Sequence, residues 1–286
     1  MFVQKVLVAT LFTLLFLLAS HQEYLRSEGF NPELTVSAQF NFPAHEPTIE
    51  INGKDGGAMV LVPAGEFIWG GSDQIPRPPS RIYLDAFYLD KFEVTVSRYS
   101  KFLANSDRRH PNRWSESNLG IDADRPVIGV TWYDAHEYCS WADKRLPTDA
   151  EWEKAARGTD GREYPWGQEV PTQKHANFDR RDDWWKGYST LAKVGSYALD
   201  ISPYGIYDLA GNAEEWVADW IDIEGQYYKT DISRNPAGPV LGQFKVLRGG
   251  SWFTPATGLP IRIPSWSDPS LTNFSIGFRC AQDFTK

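Results

Sequence analysis

The first apolar run, Val6–Ala19, holds fourteen residues without a charge and has no helical stripe. As a helix it would span about 21 Å, short of the roughly 30 Å of a bilayer core. Lys5 before it and Ala19–Ser20 after it complete the basic start, apolar middle and small-residue end of a secretory signal peptide. Residues 1–20 are therefore expected to direct export to the periplasm or the extracellular space, either cleaved or kept as an N-terminal anchor. Contact with a membrane is expected through that segment alone. No Cys follows the run, which excludes a lipoprotein anchor. Residues 21–58 read as a linker with weak extended segments.

From Met59 onward the pattern changes. Met59–Pro63 predicts a short strand ended by proline, with Phe67–Trp69 as its return and Tyr83–Phe92 as another strand. Val96, Tyr99, Phe102 and Leu103 share one face of a helix that starts near Thr95. A second helix is capped by Thr131, with Asp134 three residues on and Trp132, Ala135, Tyr138, Cys139 and Ala142 along one side. Thr148 and Glu151 form a capping-box pattern for a third helix, Asp149–Arg157, stopped at Gly158. Beyond residue 160 the periodicity fades into aromatic residues, glycine and short apolar runs. The prediction is one α+β domain over residues 59–286, with much irregular structure.

Composition narrows the function. The 286 residues are 42% apolar and 23% charged, as in an ordinary folded chain. The 12 tryptophans are expected to frame much of the interior. Acidic residues outnumber basic ones 37 to 29, which argues against a nucleic-acid partner. Two cysteines, Cys139 and Cys280, leave two readings: one disulfide in an exported chain, or two buried thiols. Their spacing does not suit zinc, and no C-x-x-C redox pair is present. Ser251 has no nearby His for a Ser–His–Asp arrangement, and Gly249–Gly250 lacks the lysine and following helix of a phosphate loop.

Four segments carry a resemblance. They are Met59–Phe67; Pro126–Trp132 running into Tyr138–Arg157; Tyr204–Trp216; and Arg248-Gly-Gly-Ser-Trp252 together with Gly277-Phe-Arg-Cys280. Together they resemble the formylglycine-generating enzyme (sulfatase-modifying factor) family over about residues 59–284. The resemblance implies a C-type-lectin-related α+β fold. It also implies a structural pairing of Cys139 with Cys280. The family's oxidases hold Cu(I) by two thiolates shortly after the Gly-Gly-Ser segment, a soft pair suited to that ion. The matching positions here are Thr254 and Leu259, and no Cys lies between 140 and 279, so copper is not expected. Glu214 stands where the oxidases carry Trp, and Ser275 where they carry Asn. Another branch of the family holds iron by three histidines; His21, His45, His110, His136 and His175 contain no matching pair, and iron is not expected either.

Calcium is implied instead. Asp208, Gly211, Ala213 and Glu215 match a family site built of side-chain and carbonyl oxygens, which suits a hard cation. A plain helix N-terminus capped by Asp208 is the alternative reading. A second family site would begin at Asn177 and Phe178, with Asp183 the nearest candidate in the run Arg180–Gly187, itself read as a solvated loop with two packing tryptophans. Arg248, Ser251, Trp252, Arg262 and Trp266 are candidates to line the family's substrate groove, against a core role for the tryptophans. The function implied is an exported, calcium-stabilised binding or accessory domain with a protein, peptide or glycan ligand. The alternative is a periplasmic oxidoreductase resembling the family member that matures the pyoverdine chromophore.

Overall fold

The helices begin where side-chain caps are available. α1 (Val96–Ala104) is entered through Thr95, whose hydroxyl accepts from the Arg98 amide, and α2 (Leu119–Asp122) is a single turn capped by Asn118. α3 (Trp132–Trp141) and α4 (Asp149–Arg157) each open with a reciprocal capping box, Thr131 with Asp134 and Thr148 with Glu151. Each box satisfies two otherwise orphaned amides, which is why both boundaries agree with the sequence pattern. Gly158 ends α4 at a positive φ that L-residues avoid. The structure is a computed structural model and describes residues 48–71, 79–221 and 233–285, all within the unit His45–Lys286. The expected export segment and most of the expected linker lie outside the described residues.

In chain order the strands are β1 (Glu50–Asn52), β2 (Ala58–Val62), β3 (Gly65–Trp69), β4 (Ser80–Leu84), β5 (Phe87–Asp90), β6 (Glu214–Ile221), β7 (Phe244–Arg248), β8 (Ser265–Ser267), β9 (Ile276–Phe278) and β10 (Ala281–Asp283). One sheet runs β1-β2-β5-β10, a ribbon pairs β3 with β4, and a second sheet runs β8-β7-β6-β9 with β9 parallel to β6. Two expectations change here. β1 pairs with β2 across Ile51 and Met59, so the folded body takes in residues that were expected to be linker. The strand expected over Tyr83–Phe92 is two: β4 joins β3, whereas β5 lies between β2 and β10, and the break falls at Asp85, whose carboxylate takes the Asn235 side-chain amide.

One core packs β2, β3, β5 and β6 around Trp152 of α4; another packs Tyr99, Phe102 and Tyr138 of α1 and α3 against Trp216 and Phe278. The disulfide Cys139–Cys280 joins α3 to the segment between β9 and β10. Beside it lies a buried ionic box. Asp55 and Asp90 face Arg98 and Lys144, and the Tyr138 hydroxyl donates to Asp55 at 2.7 Å. The box ties the β1–β2 turn, β5, α1 and the end of α3 together.

Candidate functional site

The turn that feeds β6 needs backbone shapes few residues accept. Asp208 (φ 57°), Gly211 (φ 83°) and Asn212 (φ 60°) all take the left-handed conformation. A Cβ on Gly211 would lie 2.4 Å from the Asn177 carbonyl oxygen, so glycine is required there by closeness as well as by φ. Glu93, three residues beyond β5, holds the turn by accepting from the Asn212 side-chain amide at 2.7 Å and the Ala213 amide at 2.9 Å. Asp208 accepts from the Gly195 amide at 2.6 Å.

Glu215, one residue into β6, is held by three N–H groups. Arg279 reaches both of its oxygens at 2.7–3.0 Å, and the Trp152 indole donates to Oε2 at 2.8 Å. The same guanidinium donates to the carbonyls of Tyr207 at 2.9 Å and Asp208 at 3.0 Å. Asp200 is 1% exposed, and its Oδ1 has no hydrogen-bond partner. Four buried carboxylates therefore gather around one guanidinium. Burial, reinforced by the neighbouring acids, raises Glu93 and Asp200 well above the usual carboxylate range and pushes Asp208 to about 6.

The second candidate region follows β7. Arg248 is buried; it forms an ion pair with Asp149 and another with Glu153 at 2.6 Å, and donates to the Ile261 carbonyl at 2.7 Å. Gly249 and Gly250 turn the chain with positive φ, and a Cβ on Gly249 would meet the Trp152 ring at 3.2 Å. The Thr254 hydroxyl accepts from the Ser251 amide at 2.9 Å, and Leu259 is buried with Ala176 and Phe178. Trp252 packs among Val96, Ile128 and Tyr188. Of the five residues expected to line a groove, Arg248, Ser251 and Trp252 are thus interior. Arg248 is fixed there by α4, which supplies it with two carboxylates that the local sequence does not reveal. Arg262 is half-buried on Glu163, and Trp266, on β8, is 48% exposed. Glu214 lies on β6 with its carboxylate bonded by the Ser265 hydroxyl, and burial raises its pKa. The Ser275 hydroxyl donates to Asn273 at 3.1 Å.

Residues 46–284 match the sulfatase-modifying factor enzyme 1-like domain. A formylglycine-generating enzyme from Thermomonospora curvata is 37% identical over 306 residues, covering 86% of this chain and 99% of that protein. The chain belongs to the sulfatase-modifying factor family. A serine/threonine-protein kinase, pkn1 of Chlamydia caviae, is 34% identical over 243 residues, covering 78% of this chain; the chain spans 38% of that relative's length. PvdO from Pseudomonas aeruginosa has the same fold, with a TM-score of 0.68 and 25% identity over 84% of this chain and 100% of that one. The α+β fold of the sulfatase-modifying factor family expected from the sequence is the fold observed.

Within this family, the positions of the oxidases' paired thiolates hold a hydrogen-bonded threonine and a packed leucine, and both cysteines of this chain are spent on each other. The calcium donor set implied by the family fits only in part. Glu215 already accepts three N–H groups, two from Arg279 and one from Trp152, with the Arg279 Nε–H shared between its two oxygens, so it is engaged as the counter-ion of Arg279. Asp208 and the surplus of buried negative charge do suit one. For the second calcium site, the Phe178 carbonyl takes the Gln173 amide at 2.9 Å, the Asn177 amide donates to Thr190 and Asn212, and Asp183 pairs with Lys186 at 2.6 Å, so these residues serve separate partners. Among the described residues, no three His, Cys, Asp or Glu side chains converge to hold a metal. The two tryptophans of the run Arg180–Gly187 do not pack: Trp184 is 66% and Trp185 68% exposed. Glu93, Asp200 and Arg279 were missed from the sequence; the available signal was Arg279 itself, inside the Gly-Phe-Arg-Cys segment.

Proposed function

We propose that this chain is an exported, calcium-stabilised member of the family that serves as a binding or accessory domain and not as a copper-dependent formylglycine oxidase. The observation that carries the reading is the pair Thr254 and Leu259. A hydroxyl engaged with the Ser251 amide and a buried isobutyl group offer no thiolate to Cu(I), and the disulfide offers none from elsewhere. The adjacent exposed rings of Trp184 and Trp185 support a recognition role, because contiguous apolar surface in water marks contact sites. The ligand class is protein, peptide or glycan. Incubating the purified protein with Cu(I), oxygen and a cysteine peptide of sulfatase type tests the reading. No aldehyde and no stoichiometric copper are expected; formylglycine in the peptide would overturn it.

An oxidoreductase of the same family without the copper pair is a second reading, and Glu214 favours it. A half-buried carboxyl with a raised pKa, beside Ser265 and the exposed Trp266, has the properties of a general acid or base. Oxygen uptake with a phenolic peptide that disappears in Glu214→Gln would support this reading over the first.

A further inference from the structure

The hydrophobic effect draws tryptophan toward a core, yet two in succession stay outside it in the 3-10 helix Arg181–Thr190. Trp184 is 66% and Trp185 68% exposed, while Tyr188 of the same helix is buried. Both ends of this stretch are anchored. The Asp179 and Arg180 amides donate to the Thr254 and Trp252 carbonyls at 2.9 and 2.7 Å, and the Tyr188 hydroxyl accepts from the Ile128 amide at 3.3 Å. Side chains three apart eclipse in a 3-10 helix, so Arg181 lies one turn before Trp184 on the same side, and Asp182 one turn before Trp185. The Lys186 ammonium stands 5.4 Å from the Trp185 ring centroid and covers one face of it; Trp184 has no such cover among the described residues.

The charges around the rings cancel. Residues 179–186 hold three acids and three bases. Asp179 takes Arg181 at 2.9 Å, and Asp183 takes Lys186 at 2.6 Å. What is left over is hydrogen-bonding capacity: the Arg180 Nε is buried with no partner, its Nη1 stands 3.9 Å from Asp183, and Asp182 is exposed. Open indole faces, balanced charge and unspent polar groups suit a ligand that is uncharged, apolar on one face and rimmed with hydroxyls. A sugar ring has that make-up, since its C–H face lies on an indole while its hydroxyls both donate and accept. An anionic lipid surface calls for an excess of lysine and arginine, and a charged peptide for a net field of one sign, neither of which this stretch supplies. We propose that Asp179–Lys186 binds an uncharged glycan, with sugar rings on Trp184 and Trp185 and hydroxyls bonded by Arg180 and Asp182. The inference rests on the binding-domain reading of the proposed function and gives it a site and a ligand class.

The test titrates the full chain calorimetrically with cellohexaose, maltohexaose and chitohexaose at low and high salt. At least one is expected to bind, with affinity unchanged within about twofold between the two salts, because an uncharged ligand has no Coulombic attraction to screen. Trp184→Ala and Trp185→Ala are each expected to weaken binding about tenfold or more while melting close to wild type, since both side chains are at the surface. If no hexaose binds, or if both alanine variants keep wild-type affinity, the assignment is wrong. Should an alanine variant not fold, Arg180→Gln and Asp182→Asn decide, and unchanged affinity in both overturns it. Binding instead to vesicles of phosphatidylcholine and phosphatidylglycerol, lost in the tryptophan variants, would make this a membrane contact and overturn the glycan assignment while the binding-domain reading stands. That reading falls on a separate result, aldehyde formation on the cysteine peptide.

Discussion

The ionic box under the β1–β2 turn makes a quantitative prediction. Asp55 and Asp90 carry two negative charges, Arg98 and Lys144 two positive ones, and the carboxylates and Lys144 are fully buried. Asp55→Asn keeps the shape but leaves two cations facing one carboxylate. Removing one partner from a buried ion pair typically costs about 3–5 kcal/mol, because the remaining charge is stranded. For a domain of this size each kcal/mol lowers the melting temperature by about 2–4 °C, so a fall of roughly 6–20 °C is expected. Burial alone would raise the Asp55 pKa; the Arg98 and Lys144 charges, with hydrogen bonds from Lys144 and Tyr138, outweigh it and hold the carboxyl well below the ordinary range. The stabilisation is therefore fully present above the unfolded carboxylate's value of about 3.9 and is lost as pH falls toward the depressed folded value. Chemical denaturation followed by circular dichroism, from neutral pH into acid, measures both effects. Adding Lys144→Met to Asp55→Asn restores neutrality and is expected to recover part of the loss. A cost under about 1 kcal/mol at neutral pH, or one that persists unchanged in acid, would refute the reasoning.

Three further outcomes are expected. Gly211→Ala should fail to fold or lose several degrees of melting temperature, since its Cβ would collide with the Asn177 carbonyl at a φ that alanine resists; a melt within about a degree of wild type would contradict this. Reducing Cys139–Cys280 opens a loop of 141 residues and should cost on the order of 5 kcal/mol, read by denaturation with and without reductant, with peptide mass spectrometry confirming the bridge. Burial pushes Lys154 down to about 8 while its ammonium donates to the carbonyls of Pro63 and Gly65. The unfolded chain holds that proton more tightly, so wild type should gain stability relative to Lys154→Met between pH 8 and about 10.4, and parallel curves would rule this out.

What could be read from the sequence is what is decided locally. The Thr131 and Thr148 caps, the Gly158 stop and the α1 face depend on residues within one or two turns of each other, so the three helices were legible. The family segments were legible too, because their residues meet backbone demands at fixed spacing, as Gly211 does. The strands beyond residue 160 were not. Glu215, Trp216 and Val217 of β6 are buried in succession, so the start of that strand shows no alternation, and farther along one of the alternating buried positions is the acidic Asp219. Nor could the sequence say that Arg248 belongs to Asp149 and Glu153 across 95 or more positions, or that Arg279 claims Glu215 across 64. A charged side chain announces its chemistry in the sequence, but burial and distance choose its partner, and only the folded chain brings those partners within reach.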